Sequence, residues 1–141
     1  MLGRKSYDQD YIDQCRARIA AQVSAYDDVK AAVKDDAALA AFEPLFFNGL
    51  VQVLDHCFVH RLRTVEGKDG NPLNEVRVVC DSLLLNGGVL AADKQIKLKP
   101  ETSVLGYEVG DEIALDEERF TRLAEGFFAE IEARFATATA A

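Results

Sequence analysis

Apolar residues recur at intervals of three and four along most of this chain, which is the spacing of helices with one buried face. The first such pattern runs from about Tyr7 to Val33 and has a narrow apolar stripe, typical of packing between helices or across a dimer. Further helical patterns span residues 44–64 and 72–85, and the last begins after Asp116, a residue suited to an N-cap. These patterns predict a helical bundle of about four main helices.

Polar residues and prolines mark the boundaries between these helices. An acidic pair precedes a short predicted helix over residues 37–42, and Pro44 predicts a fresh start because the residue before proline avoids the α region. Asn71 and Pro72 are suited to the N-cap and first position of the third long helix. Gly49 lies inside the second, where glycine costs about 1 kcal/mol relative to alanine. A close helix crossing would explain that glycine.

A different pattern separates the third and last long helices. Residues 94–99 alternate polar and apolar side chains, as a strand with one buried face does, and Ile113 and Leu115 repeat the alternation. The two segments predict a small two-stranded antiparallel β element. Two strands alone are marginal in water, so the element needs a helix or a partner subunit to pack against. The predicted fold class is therefore mainly α with a minor β part.

The chain length of 141 residues predicts a single domain spanning residues 1–141. Residues 1–6 and 136–141 are expected to fray, the latter because only alanine and threonine follow the last apolar stripe. The net charge of −8 disfavours nucleic acid and anionic lipid as main partners. No apolar run reaches the roughly 20 residues of a membrane span, so no membrane partner is predicted.

The cysteines indicate the compartment. There are three of them, Cys15, Cys57 and Cys80, and none lies in a C-x-x-C motif. All three fall in apolar helical settings, as buried thiols in a reducing environment do. The sequence thus predicts a soluble cytoplasmic protein.

Histidines provide one candidate site. Asn48, Gln52, His56 and His60 are spaced by four, which places them above one another on a helix. His56 and His60 could therefore hold a divalent metal ion, although a complete site needs further ligands. The alternative is that both histidines lie on a half-exposed helix face or in a subunit contact. No other cofactor is predicted.

A polar cluster at the loop between the second and third long helices provides the other candidate. Arginine side chains fork onto carboxylates and phosphates, and a helix N-terminus favours anions. The alternative is a solvated ion-pair network in which acidic residues such as Glu66 and Asp69 are the partners. The candidate ligand-binding residues are Arg61, Arg63, Asn71, Asn74, Glu75 and Arg77.

Known catalytic patterns are absent from the sequence, which has neither a glycine-rich phosphate loop nor a G-x-S-x-G elbow. The leading hypothesis is a non-enzymatic homodimeric interaction module that holds a small anion or a protein partner at the polar loop end. One alternative is a metal-dependent enzyme with His56 and His60 as ligands, completed by an acidic residue such as Glu75 or Asp81. Another is a purely structural dimer.

Overall fold

Five helices dominate the part of the chain that the computed structural model describes, residues 3–137. A two-residue strand lies before the first helix and another follows the last. The predicted class, mainly α with a minor β part, is confirmed. In chain order the elements are β1 (Tyr7–Asp8), α1 (Gln9–Ala32), α2 (Asp36–Cys57), α3 (Arg63–Glu66), α4 (Pro72–Leu85), α5 (Glu117–Phe135) and β2 (Ala136–Thr137).

The core lies where α4 and α5 pack against each other and against α2. The predicted apolar stripes face it: α5 buries a series of phenylalanines that includes Phe120, Phe127 and Phe135. The predicted caps are also present, because the Asp116 side chain accepts a hydrogen bond from the Arg119 N–H at 2.7 Å. Helix boundaries set by nearby residues thus follow the sequence.

The predicted break before Pro44 is wrong, because α2 continues through the proline and absorbs the short helix expected over residues 37–42. Proline in a helix interior removes a backbone hydrogen bond. Aromatic packing holds the helix on both sides of it: the Tyr26 ring stacks on Phe42 and Phe46, at centroid distances of 6.4 and 5.5 Å. Contacts with α1 therefore override the local preference.

The C-terminal end of α2 is shorter than predicted, since the helix stops at Cys57. Beyond it the backbone pairs with the N-terminal arm. The Arg4 N–H donates to the His60 carbonyl at 2.6 Å, and the Leu62 N–H donates to the Arg4 carbonyl at 2.8 Å. These bonds hold the segment in a bridge, so it cannot continue as helix. The expectation that His56 and His60 occupy successive turns of one helix is wrong.

The predicted antiparallel β element is also wrong. Residues 94–99 form no strand, and the Lys97 N–H donates instead to the Lys68 carbonyl at 3.0 Å. The alternation still marks the buried side, because Ile96 is buried and Leu98 half-buried. In residues 3–137 this region has one antiparallel bridge, between Val89 and Glu112.

The two-stranded sheet joins the two ends of the described chain. β1 and β2 run parallel, with Tyr7 opposite Ala136 and Asp8 opposite Thr137. Fraying was expected for residues 1–6 and 136–141. Of the residues in these two segments, Arg4, Ala136 and Thr137 are paired in β bridges or strands. Met1, Leu2 and residues 138–141 lie outside the described residues.

Helix α2 is strongly apolar in composition, yet few of its residues are buried. By length and composition alone α2 is apolar enough to cross a membrane, a test that core helices of soluble proteins also pass. An 18-residue window of it has a mean hydropathy of 1.5, yet only 22% of that window is buried. The sequence-based expectation was that no apolar run reaches this length, and α2 does. Within residues 3–137, part of the apolar surface of α2 is therefore left uncovered.

Candidate functional site

A buried carboxylate lies at the centre of the predicted polar cluster. Glu66 has no exposed surface, and both of its oxygens accept hydrogen bonds. Oε1 accepts from Arg61 Nε at 2.7 Å and from Arg77 Nη2 at 2.6 Å. Oε2 accepts from Asn74 Nδ2 at 2.7 Å and from Arg77 Nε at 3.1 Å. One carboxylate thus joins three of the six candidate ligand-binding residues.

Two asparagines fix this arrangement to the backbone. Asn71 caps α4, with its Oδ1 accepting from the Leu73 N–H at 2.8 Å, while its Nδ2 donates to the Glu66 carbonyl at 2.8 Å. Asn74 accepts from the Gly70 N–H at 2.9 Å. The side chains that begin α4 therefore also hold the loop before it, which accounts for the burial of Asn71 and Asn74.

Arg61 is satisfied on every side. Its guanidinium donates to the carbonyls of Phe58 and Leu73 at 3.1 and 3.2 Å, besides its bond to Glu66. Asp55 forms a further ion pair with it, at 2.8 Å. Buried charges are tolerated when paired and hydrogen-bonded in this way.

The protonation of Glu66 reflects its partners. Burial alone would raise its pKa, but the hydrogen bond from Arg77 and the charges of Arg61 and Arg77 outweigh burial. The pKa of Glu66 therefore lies below its ordinary value. The cluster contains a carboxylate held in its charged form.

Glu75 belongs to a different contact. Its two oxygens accept from the backbone N–H groups of Val104 and Leu105, at 2.8 and 2.9 Å. Burial raises the pKa of Glu75, and these two hydrogen bonds offset the effect only in part. Glu75 therefore anchors the loop around residue 104 onto α4.

The structure thus brings together Arg61, Asn71, Asn74 and Arg77, whereas Glu75 faces another loop and Arg63 is exposed. The network is buried rather than solvated, and its members are partners of one another. Ligand binding by these six residues stays a prediction. Sequence reasoning missed the central place of Glu66. The available indication was an acidic residue lying between two arginine-bearing segments.

The two histidines lie in a cleft of about 430 Å³ formed between the N-terminal arm and the end of α2. Both are exposed. The cleft combines basic, aromatic and thiol side chains, with one carboxylate. Its lining residues are Arg4, Tyr7, Asp8, Tyr11, His56, Cys57, Val59 and His60.

Aromatic rings form one wall of this cleft. The rings of Tyr7 and Tyr11 stack with centroids 5.7 Å apart, and Phe58 meets Tyr7 edge-on at 4.9 Å. The Tyr11 hydroxyl donates to the Cys57 carbonyl. Burial, with a contribution from nearby Cys15, raises the pKa of Tyr11 to about 12 and that of Cys57 to about 11. At neutral pH these groups are therefore a phenol and a thiol, not a nucleophilic thiolate.

Metal ligation was predicted for His56 and His60. Within residues 3–137 no group of three or more histidine, cysteine, aspartate or glutamate side chains is arranged to hold a metal ion. The two histidines share the cleft without a third ligand of that kind, and metal binding stays a prediction.

No protein family, no curated protein and no solved structure matches this chain.

Proposed function

We propose that this protein is a non-enzymatic interaction module that self-associates as a homodimer through one face of α2. The observation behind the proposal is the mismatch between composition and burial in that helix. Its 18-residue window has the hydropathy of a membrane span, while only 22% of the window is buried. Exposed contiguous apolar surface on a globular protein usually marks an interaction site.

The proposed face is continuous along the helix. Successive spacings of four, three, four and four residues put its members within one narrow arc. Its three large side chains are exposed: Phe42 to 45%, Leu45 to 74% and Val53 to 38%. We call this set the α2 face; its residues are Ala38, Phe42, Leu45, Gly49 and Val53.

Gly49 supports contact with another helix. It is exposed, and a Cβ built there would meet nothing within 4 Å. A glycine in a helix interior costs about 1 kcal/mol relative to alanine. No contact within this chain offsets that cost in residues 3–137. A glycine in the middle of an apolar face lets a second helix backbone approach closely.

Charge favours a second copy as the occupant. The α2 face has no charged residue, although the chain has a net charge of −8. A two-fold interface brings the same patch of both subunits together, so any charge on it would meet its like. An uncharged face is where two acidic copies can join with the least repulsion.

The side of α2 next to the α2 face is attached to the body of the protein. Asn48 Nδ2 donates to the Ile113 carbonyl at 3.0 Å, and its Oδ1 accepts from the Leu115 N–H at 3.1 Å. These bonds hold α2 in place, so the α2 face is presented by a fixed helix.

Sedimentation equilibrium of the full chain over a range of concentrations tests the proposal. We expect the wild type to be a dimer and Leu45→Lys to be a monomer, because the change places a charge beside its own copy. Val109→Lys is the matched control, since Val109 is 66% exposed and lies in a loop outside α2. A monomeric wild type, or a Leu45→Lys variant that stays dimeric, contradicts the proposal.

Gly49→Ala separates the two effects of that residue. In dilute monomer the added methyl group should raise the free energy of unfolding by about 1 kcal/mol. In the dimer it should weaken association, because the helices can no longer approach as closely. A variant that stabilises both the monomer and the dimer excludes a crossing at Gly49. Binding of a monomeric wild type to phosphatidylcholine vesicles would instead assign the α2 face to lipid.

A further inference from the structure

We infer that the cleft between the N-terminal arm and the end of α2 binds a small aromatic anion, meaning a flat apolar body with one carboxylate or phosphate group. Its volume of about 430 Å³ falls within the range of small-molecule pockets. None of its lining residues belongs to the α2 face, so the inference does not depend on self-association.

A guanidinium and two imidazole rings at the cleft indicate an anion. Arg4, His56 and His60 all line it, together with a single carboxylate, Asp8. That carboxylate already accepts a hydrogen bond from the Thr137 hydroxyl at 3.2 Å. Arg4 supplies the positive charge for an anionic group, and ring nitrogens of the two histidines can donate further hydrogen bonds to it.

Arg4 is the group best suited to hold that anion. Its Nε donates to the Ser6 carbonyl at 3.3 Å, and its side chain belongs to none of the ion pairs found within residues 3–137. The two terminal nitrogens of a guanidinium match the two oxygens of a carboxylate or the edge of a phosphate. Arg4 can therefore bind an anion without first breaking an ion pair of its own.

The aromatic wall indicates a flat body. The Arg4 guanidinium lies 5.2 Å from the centroid of the Tyr7 ring, and Tyr7 in turn stacks on Tyr11. Tyr11 is 39% exposed and supplies ring surface to the cleft. The Tyr7 hydroxyl is buried and has no hydrogen-bond partner among residues 3–137. A flat ligand can pack on aromatic surface while its anionic group meets Arg4.

The cleft is formed by backbone contacts that do not need the ligand. The Arg4 backbone bonds to His60 and Leu62, and β1 pairs with β2 behind the cleft. A preformed site spends little binding free energy on ordering the chain. A change to the Arg4 side chain also leaves the backbone bonds in place, so a variant at this position tests binding rather than folding.

A transition metal on His56 and His60 is the competing occupant. Neutral imidazoles bind such metals, but a stable site normally has three or four protein ligands. The described residues offer no such group. The anion uses the basic and aromatic residues together, whereas the metal would use the histidines alone.

Titration of benzoate and phenyl phosphate into the isotopically labelled full chain, followed by amide NMR shifts, tests the inference. We expect saturable shifts at residues 4, 56 and 60 with both probes. Arg4→Gln should weaken binding about tenfold or more, because charge-assisted hydrogen bonds are lost. Arg122→Gln is the matched control, since Arg122 is an exposed arginine of α5 and lies outside the cleft. Its affinity should equal that of the wild type.

Four results would overturn the inference. The first is the absence of saturable binding of either probe. The second is equal affinity of the wild type and Arg4→Gln. The third is that inorganic phosphate binds as tightly as phenyl phosphate, which would replace the aromatic anion by a bare anion. The fourth is that Zn²⁺ alone gives shifts, confined to His56 and His60, which would replace the anion by a metal.

Discussion

Arg61 and Glu66 form an ion pair with no solvent exposure on either side chain, with Arg61 Nε 2.7 Å from Glu66 Oε1. A pair of this kind contributes little net stability as a unit, because desolvation opposes the attraction. Removal of one partner is a different matter, since it leaves a charge buried without its counterion. The pair therefore makes the fold sensitive to single substitutions at either position.

Glu66→Gln should lower the free energy of unfolding by about 3–5 kcal/mol. The amide has the shape of the carboxylate, but its NH2 group meets the N–H donors of Arg61 or Arg77, and the negative charge is lost. Urea denaturation followed by circular dichroism measures the change. Arg63→Ala is the control: Arg63 is an exposed arginine of the same segment, and it should stay within about 0.5 kcal/mol of the wild type. Equal effects of the two substitutions would contradict a buried pair.

Acid should remove the contribution of Arg77 to stability. Because the folded protein holds the pKa of Glu66 below its ordinary value of 4.5, the folded state binds the proton less readily than the unfolded chain. The contribution is therefore complete above about pH 4.5 and falls as the pH drops through the folded-state pKa. We expect the stability gap between the wild type and Arg77→Met, measured by urea denaturation, to narrow below that pH. A stability difference that stays constant down to the acid transition would show that the contribution of Arg77 does not come from its pairing with Glu66.

Glu75→Gln should destabilise the protein by about 1–3 kcal/mol, less than Glu66→Gln. Both Glu75 oxygens accept from backbone N–H groups, so the NH2 group of glutamine would face Val104 or Leu105 as donor against donor. Among residues 3–137 no arginine is hydrogen-bonded to Glu75, so no buried cation there loses its partner. Thermal denaturation measures the change, with Glu118→Gln, at an exposed position of α5, as the control. A larger destabilisation by Glu75→Gln than by Glu66→Gln would contradict the ranking of the two substitutions.

Gly126→Ala should lower the free energy of unfolding by roughly 1 kcal/mol or more, although alanine is the better helix former. A Cβ at this position would lie 3.2 Å from Pro72 Cγ and 3.3 Å from Pro72 Cβ. The proline ring is rigid and begins α4, so it cannot move aside. The comparison with Gly49→Ala in dilute monomer tests this argument, because open space surrounds Gly49. The two alanine variants should shift stability in opposite directions.

The features that the sequence predicted correctly are those determined by interactions between residues close together in the chain. The cap at Asn71, the start of α5 and the phenylalanine stripe on that helix need only local spacing and local hydrogen bonds. The wrong predictions share a different cause. Pro44 stays helical because of Tyr26 on α1, and α2 stops where Arg4 pairs with the segment beyond it. Local sequence patterns do not predict pairings between segments that are far apart in the chain.

The same limit applies to the candidate sites. Arginines, asparagines and acidic residues near one loop indicated a polar cluster, but not which carboxylate would be buried at its centre. Burial of Glu66 depends on Asn74 and Arg77 of α4 reaching it, and local composition does not predict that contact. The cleft was harder still to predict, because a backbone hydrogen bond between remote parts of the chain brings Arg4 to His60.

The parallel pairing of β1 with β2 imposes an order on folding while the chain is being synthesised. Asp8 and Thr137 are 129 residues apart, so a growing chain exposes β1 long before its partner leaves the ribosome. Contacts that close such long loops form late in folding. Until β2 arrives, the N-terminal arm lacks one of its attachments while the apolar α2 is already made. A chain that stops before α5 and β2 therefore lacks this pairing, and its uncovered apolar surface makes it a target for chaperones and proteases.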